Sequence, residues 1–424
     1  MALEKKYNSS FDISLVLAFY LIIGFASVYA QQVALPPSLQ GNIPLDPEAL
    51  LKIPEFRWEN KKDSVWSLYY QGEVFYGKQA EVFAYYASPS TLSRKKSKGT
   101  QYPAVVLVHG GGGTAFAVWV RYWAKKGFAA IAMDLGGAKP LPEKEQQTPW
   151  STKSEPLPNG APDDTDVYKF FSIDKDFSRQ WQFHAVSNII RAHSLIRSFS
   201  EADSSRTALT GISWGGYLTN LAAGVDHRFK AAVPVYGCGF LHEKSTWLSR
   251  FDSLGYEKAN KWVQLWDPSS YVRNASMPML FINGTNDFAY HVESWQKTID
   301  LVRNSRQLLI PEMLHNHETG ADSKEIVAFI NEVFKDAKDI SVMGRTKKVG
   351  KWYEAAIIPG TEIIEANFVF TSESKENKER KWQKVPATIK EGRLVAEGGH
   401  KIKAAFFLIT DEEGNQTSSP VFFN

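Results

Sequence analysis

The 424-residue chain contains a single cysteine, Cys238, so no disulfide can form within it. It also lacks an excess of charge, because 49 Lys and Arg nearly balance 46 Asp and Glu, and it has no long basic block. The short basic run from Arg94 to Lys98 predicts a solvated loop. We therefore expect a fold that depends on its hydrophobic core, and we do not expect nucleic acid as a partner.

Long apolar runs are missing too, with one exception near the start. Lys5 and Lys6 precede the apolar segment Ile13–Val28, and small residues follow up to Ala30. This pattern is typical of a secretory signal peptide, here residues 1–30. An uncleaved membrane anchor is the alternative, but the run is shorter than the roughly 20 residues that span a bilayer. We expect a secreted or periplasmic protein with no stable membrane insertion after cleavage.

Beyond a proline-rich lead, which we expect to be extended rather than helical, strand and helix patterns alternate. Ala104–His109 is a continuous apolar run, typical of a buried parallel strand, and Trp181–Ser198 has apolar residues at helical spacing. This order predicts an α/β fold, a mostly parallel central sheet flanked by helices, over residues 31–340. Past about residue 345 only short strands recur, which predicts a small β-sandwich over residues 341–424.

The strongest local signal is Gly211-Ile212-Ser213-Trp214-Gly215. A predicted strand enters this motif and a predicted helix leaves it, which is the setting of a nucleophile elbow. Glycines on both sides let neighbouring elements approach the sharp turn that exposes the serine. The motif predicts Ser213 as a nucleophile, although an ordinary glycine-rich turn remains the alternative.

A second glycine-rich segment follows the predicted strand Ala104–His109. His109 is followed by four consecutive glycines, the pattern of an oxyanion loop in esterases and lipases. We expect the N–H of Gly111 or Gly112 to join that of Trp214 in binding an oxyanion, and His109 to support the loop. A phosphate-binding loop is disfavoured because no Lys-Ser/Thr pair follows the glycines.

A nucleophilic serine needs a base, and the base needs an orienting carboxylate. Asp287 follows the predicted strand Met279–Asn283, and His315 follows the predicted strand Gln307–Ile310. Because both lie after buried strands, we predict Asp287 as the acid and His315 as the base. The alternatives are weaker: Asp226 and Asp267 as the acid, His317 as the base, and a metal site around the two loop histidines. We expect His291 to be a surface or capping residue. No metal or cofactor motif is present, and we expect neither.

Four motifs follow one another along the chain: HGGGG, GISWGG, NGTND and MLHNH. In this order they resemble the α/β-hydrolase superfamily over residues 60–337. Within it the chain is similar to bacterial acetyl xylan esterase-like and dienelactone hydrolase-like enzymes and to the catalytic domain of prolyl oligopeptidases. The resemblance implies an α/β-hydrolase fold, with Ser213 as nucleophile, Asp287 as acid, His315 as base, and oxyanion donors from the glycine loop and Trp214. Two departures stand out: dienelactone hydrolases have cysteine in place of Ser213, and the N-terminal part is too short for a prolyl oligopeptidase propeller.

The expected activity is that of a serine esterase, a carbohydrate esterase that de-esterifies a polysaccharide, with a polysaccharide or small ester as its substrate. A serine exopeptidase and a non-catalytic glycan-binding protein are the alternatives. The long insert Leu135–Phe177 is expected to shape the substrate cleft. Trp119, Trp150 and Trp181 would suit stacking on sugars if they are exposed.

Overall fold

The computed structural model describes residues 45–424, apart from residues 96–98, 336 and 400. The predicted signal peptide lies outside the described residues, as does the end of the basic run. The described residues form one compact unit. None of the helices in the described part of the chain has the length and apolar character needed to cross a bilayer.

Within the described residues, eleven strands precede the C-terminal module, and most of the predicted segments are among them. In chain order they are β1 (Phe56–Asn60), β2 (Trp66–Phe75), β3 (Lys78–Ala87), β4 (Tyr102–Val108), β5 (Ala129–Met133), β6 (Ala138–Pro140), β7 (Ser154–Pro156), β8 (Ala202–Ile212), β9 (Ala231–Val235), β10 (Met279–Gly284) and β11 (Ser305–Ile310). The pair β6 and β7 forms a separate hairpin inside the predicted insert.

The other nine strands form one sheet in the order β1-β2-β3-β5-β4-β8-β9-β10-β11. In this order, the neighbours from β1 to β5 pair antiparallel. The remaining pairs of the sheet, β5-β4, β4-β8, β8-β9, β9-β10 and β10-β11, are parallel. The sheet is therefore mostly parallel, as predicted. The carboxyl ends of its parallel strands lie at one edge, which is where ligands bind in open α/β sheets.

Helices cover the apolar strands of this sheet, some of them directly and others by packing on neighbouring helical segments. They are α1 (Pro47–Leu50), α2 (Pro89–Ser93), α3 (Ala117–Lys125), α4 (Trp181–Arg197), α5 (Trp214–Val225), α6 (Leu248–Trp266), α7 (Val292–Ile299), α8 (His317–Ala321) and α9 (Lys324–Val333). One expectation was wrong and one helix was missed. Proline starts the short helix α1 in the lead, where its missing N–H costs nothing. Helix α6 was not predicted, and its regular geometry is interrupted at Gly255, where φ is 71°.

The C-terminal strands form two antiparallel sheets, so the predicted β-sandwich is present. The strands are β12 (Val342–Met343), β13 (Lys347–Val349), β14 (Trp352–Ile358), β15 (Ile363–Thr371), β16 (Gln383–Pro386), β17 (Thr388–Lys390), β18 (Arg393–Glu397), β19 (Ala404–Asp411), β20 (Gln416–Ser418) and β21 (Phe422–Phe423). One sheet contains β12, β13, β14, β17 and β18, and the other contains β15, β16, β19, β20 and β21.

Strand β19 has both faces buried. Phe407 and Ile409 lie in the core of the sandwich, whereas Phe406 and Leu408 belong to the large core of the α/β part. The alternation of side chains along a strand thus joins the module to the main body through an apolar interface. The boundary at residue 340 stays a prediction, because the two parts form one compact unit.

Candidate active site

Ser213 lies at the turn between β8 and α5. Its backbone has φ 59° and ψ −118°, a positive φ that non-glycine residues rarely adopt. The turn is held because the Ser213 N–H donates to the Val235 carbonyl at 2.9 Å and the Tyr217 N–H donates to the Ser213 carbonyl at 2.9 Å. A strained backbone fixed by its surroundings is a mark of functional sites, and this one projects the hydroxyl away from the sheet.

Glycine at position 215 is required by the close packing of this turn. A Cβ atom there would lie 2.0 Å from the Val108 carbonyl oxygen and 2.6 Å from that of His109. The first turn of α5 therefore packs directly against the end of β4. This contact brings the serine next to the loop that follows His109.

The structure brings Ser213, His315 and Asp287 into one hydrogen-bonded chain. The Ser213 hydroxyl donates to His315 Nε2 at 2.8 Å, and His315 Nδ1 donates to Asp287 Oδ2 at 2.6 Å. The other carboxylate oxygen of Asp287 accepts the N–H groups of Ala289 and Tyr290 at 2.8 and 2.7 Å. Serine, imidazole and an oriented carboxylate in this order can deprotonate the serine for nucleophilic attack.

The imidazole of His315 is packed between aromatic rings. The Tyr236 ring stacks on it with centroids 4.2 Å apart, and the Phe288 ring lies 4.8 Å away. The Tyr236 hydroxyl also donates to the Leu314 carbonyl at 2.6 Å, which fixes the residue before the histidine. These contacts restrict the imidazole to the orientation that both hydrogen bonds need.

Two further histidines hold the glycine loop. The Leu135 N–H donates to His109 Nε2 at 2.9 Å, and His109 Nδ1 donates to the Gly110 carbonyl at 2.7 Å. The Gly110 N–H in turn donates to His317 Nε2 at 3.0 Å. Burial and the neighbouring His109 lower the pKa of His317 to about 4, so the imidazole is neutral at pH 7 and can accept this bond. His109 thus contacts its own loop as expected, while the loop contact of His317 was not predicted.

The N–H of Gly112 is already engaged, which narrows the predicted oxyanion donors. It donates to Asp164 Oδ2 at 2.7 Å, and the same oxygen accepts the Lys169 ammonium at 3.0 Å. The N–H groups of Gly111 and Trp214, by contrast, have no acceptor among the residues that the structure describes. Of the three candidates, Gly111 and Trp214 are therefore the two that have a free N–H, and Gly112 does not.

Asp164 and Lys169 form a half-buried ion pair at this loop, with side chains 23% and 7% exposed. Burial by itself raises the pKa of Asp164, but the Lys169 ammonium and the Gly112 N–H outweigh it and lower the pKa. Burial also lowers the pKa of Lys169. The ammonium lies over the rings of Trp214 and Trp181, at 4.6 and 5.0 Å from their centroids. The sequence predicted no role for this pair.

A cleft of about 870 Å³ opens onto Ser213 and His315. Its walls combine the glycine loop with apolar side chains, among them Val167, Trp247 and Phe288. The first of these comes from the insert Leu135–Phe177, which therefore contributes to the cleft as expected. Trp119 and Trp181 do not, because both are buried and cannot stack on a sugar.

The fold agrees with that of two solved acetyl xylan esterases. The enzyme from a Paenibacillus species superposes with a TM-score of 0.51 at 19% identity, over 70% of this chain and 99% of that one. The enzyme from a Thermoanaerobacterium species gives a TM-score of 0.53 at 15% identity, over 70% and 94%. The chain has the α/β-hydrolase fold.

Two sequence comparisons match parts of the chain. Residues 174–336, which include Ser213, Asp287 and His315, match the prolyl oligopeptidase family. An acetyl esterase of Xylanibacter ruminicola is 26% identical over 208 residues, 46% of this chain and 44% of that protein. The chain thus matches less than half of the length of this curated relative.

The two alternative acids are engaged elsewhere. Asp267 is buried and accepts the N–H groups of Phe240 and Leu241. Asp226 accepts from His193 at 2.7 Å and from Arg228 at 2.7 Å. Within the described part of the chain neither acid is hydrogen-bonded to His315 or His317, so both are better explained as structural residues.

The metal alternative has no support in the geometry. Within the described ranges, no three His, Cys, Asp or Glu side chains are grouped as metal ligands would be. His291 occupies the N-cap position of α7, but its side chain makes no capping hydrogen bond. His291 is thus at the capping position without a side-chain cap, and it is buried rather than on the surface.

Proposed function

We propose that this chain is a secreted serine esterase that removes acetyl or similar small acyl groups from a polysaccharide. The observation that carries the proposal is the hydrogen-bonded chain from Ser213 through His315 to Asp287 at the floor of the cleft. The proposed signal peptide supports export, and the near balance of charges gives no reason to expect nucleic acid as a partner.

In the proposed reaction, His315 Nε2 takes the proton of Ser213 as its oxygen attacks the ester carbonyl. The N–H groups of Gly111 and Trp214 stabilise the oxyanion, and Asp287 stabilises the imidazolium. His315 then returns the proton to the departing alcohol, which leaves an acyl-serine. A water molecule, activated by the same imidazole, releases the acid and regenerates the serine.

The acyl group is suggested by the Xylanibacter ruminicola relative, which is an acetyl esterase. The cleft supports a bulky leaving group, because its volume of about 870 Å³ far exceeds that of an acetyl group. Its mixture of glycine backbone, Trp247 and Phe288 is compatible with a carbohydrate chain, which presents both hydroxyl groups and apolar ring faces.

An exopeptidase is the second candidate, and the match to the prolyl oligopeptidase family favours it. An enzyme that selects a free amino terminus needs a carboxylate available for the substrate ammonium. The two acids that line the cleft, Asp164 and Asp166, are already paired with Lys169 and Arg250 at 3.0 Å each. This pairing favours the esterase over the exopeptidase.

The test compares acid release from acetylated xylan with cleavage of aminoacyl-naphthylamides, at equal concentrations of the full chain. The proposal expects acetate release by the wild type, loss of it in Ser213→Ala, and retention in the exposed control Ser253→Ala. Amide cleavage without acetate release would favour the exopeptidase. No cleavage of either substrate class by the wild type would contradict both.

A further inference from the structure

The loop that carries Asp287 is held by the C-terminal module. A short 3₁₀ turn of the module, Asn377–Glu379, lies against this loop. The buried Asn377 side chain donates its Nδ2–H to the Asp287 carbonyl oxygen at 2.8 Å. In the opposite direction, Asn286 Nδ2 donates to the Arg380 carbonyl oxygen at 2.6 Å. Two side-chain amides, one from each part, therefore bind the backbone of the other part. We call this pair of contacts, made by Asn377 and Asn286, the clasp.

The orientation of Asn286 is itself fixed. Its Oδ1 accepts the Thr285 hydroxyl at 2.7 Å, which leaves Nδ2 directed at the module. The Thr285 hydroxyl oxygen also accepts the Glu312 N–H at 3.1 Å, on the segment that leads to the histidine. Hydrogen bonds thus connect the module, through the loop of Asp287, to the segment that leads to His315.

The Asn377 amide serves this one contact. Its Nδ2 donates to Asp287, whereas its Oδ1 is buried and has no partner among the described residues. A buried polar atom without a partner destabilises a protein, so an apolar residue here would be expected if packing were its only role. The donor to the Asp287 carbonyl is what an apolar side chain cannot supply.

The position of the Asp287 backbone governs the histidine. One carboxylate oxygen of Asp287 is fixed by two N–H groups of its own loop, and the other binds His315 Nδ1. The whole loop therefore moves as a unit, and a displaced loop would carry the carboxylate away from the imidazole. Displacements of about 1 Å in catalytic geometry can lower rates about a hundredfold.

The module also holds the strand that leads to the base. The Leu309 N–H of β11 donates to Ser418 Oγ at 2.9 Å, and Gln307 Nε2 donates to the Ser419 carbonyl at 3.1 Å. Arg380 forms an ion pair with Glu293 at the start of α7, beside the same loop. Acid and base are thus both anchored on the module, by contacts about one hundred residues apart in the chain.

We propose that the C-terminal module completes the active site, with Asn377 as the positioning residue that sets the place of Asp287 and, through it, the orientation of His315. The expected effect on rate rests on the proposed function, whereas the positioning of Asp287 by Asn377 does not depend on the substrate. It assigns the module a role beyond packing and does not require the module to bind a glycan.

The test uses the full chain with two variants. Asn377→Leu keeps the size of the side chain and removes the donor. Gln296→Met is the matched control, because Gln296 Oε1 accepts the Val421 N–H at 2.8 Å and so ties the module to α7 away from the acid. Steady-state hydrolysis of p-nitrophenyl acetate is measured well below the melting temperature of every variant, together with the low-field proton resonance of His315 Nδ1–H.

We expect Asn377→Leu to lower kcat at least tenfold with little change in KM, on the order of the cost of misplaced catalytic groups, and to shift or broaden the resonance. Asn377→Gln, which retains an amide donor, should recover part of both. Gln296→Met should lower the melting temperature without either change. If Asn377→Leu does not fold, Asn286→Ser tests the same clasp from the other side.

The proposal is overturned if both clasp variants keep the wild-type resonance and kcat, or if Gln296→Met alters them equally. The resonance separates this outcome from a failure of the proposed function. A wild type that shows the resonance but hydrolyses no ester would contradict the esterase, whereas a resonance that moves in Asn377→Leu would still support the positioning role.

Discussion

His317 Nε2 accepts the Gly110 N–H at 3.0 Å, so the loop that carries the base is bonded directly to the glycine loop. His315 and His317, two residues apart, thus have different partners. His315 contacts Ser213, whereas His317 contacts the glycine loop, whose N–H groups would bind the oxyanion. The contact couples the two halves of the site, because a shift of either loop would be transmitted to the other.

Loss of this contact should lower the rate of hydrolysis. We expect His317→Phe, which retains a flat ring but no acceptor, to lower kcat about tenfold or more, since one misplaced oxyanion donor costs about 10²–10³. His317→Gln can accept the same N–H and should retain more activity. Equal kcat for wild type and His317→Phe would show that the loop does not need this bond.

Acid should destabilise the fold through buried histidines. Burial lowers the pKa of His193 to about 4, although Asp226 opposes the shift. Because the folded-state pKa is below the unfolded value of 6.5, His193 contributes stability above pH 6.5 that is lost as the pH falls towards 4. His193 Nδ1 is hydrogen-bonded to Asp226 Oδ2 at 2.7 Å, and Nε2 to the Thr207 hydroxyl at 2.9 Å. Both ring nitrogens are therefore already engaged when the ring takes up a proton.

Urea unfolding at pH 7.5 and 4.5 measures this effect. We expect the free energy of unfolding to fall by roughly 2 kcal/mol from His193 alone, on the conversion of pKa shifts to stability. His193→Gln should be less stable than wild type at pH 7.5, with a smaller difference at pH 4.5. The exposed control His227→Gln should follow the wild type. A difference for His193→Gln that is independent of pH would contradict the account.

The ion pair between Asp164 and Lys169 should act as a unit. Lys169→Met leaves a carboxylate without its cation beside the glycine loop, where it would oppose a developing oxyanion. We expect kcat for p-nitrophenyl acetate to fall about tenfold in Lys169→Met, and to recover in part when Asp164→Asn is added. A double variant as slow as the product of both single effects would show that the residues act independently.

The turn at Ser213 should not tolerate a larger residue at position 215. The Cβ of Gly215→Ala would lie 2.0 Å from backbone oxygen, so the turn must open or β4 must move. We expect a loss of about 3 kcal/mol or more in unfolding free energy, at the upper end of overpacking effects. Gly399→Ala meets no atom within 4 Å and should be nearly neutral in the same denaturation experiment.

Much of the sheet could be predicted because its strands are buried on both faces. Apolar runs such as those of β4 and β10 are visible without any partner, and parallel strands bring the residues after them to one edge. With Ser213 selected by its motif, that rule was enough to select Asp287 and His315, and the structure brings the three together. Their catalytic roles stay predictions until the chemistry is measured.

What could not be predicted depends on contacts between distant segments. Asp164 reaches Gly112 from 52 positions away, and His317 reaches Gly110 from 207. No local pattern marks such pairs, so Gly112 remained a candidate donor although its N–H is occupied. The clasp formed by Asn377 was missed for the same reason, since an asparagine in a short turn has no signature until its partner is known.

We expect Ser213 to carry the acyl group during hydrolysis. The most direct measurement mixes the full chain with p-nitrophenyl acetate, stops the reaction in acid within the first turnover, and locates the acetyl group by mass spectrometry of the peptides. We predict an acetyl group on Ser213 that forms with the burst of p-nitrophenol and is absent from Ser213→Ala. Undiminished turnover by Ser213→Ala, or acetylation at another residue at the rate of the burst, would contradict it.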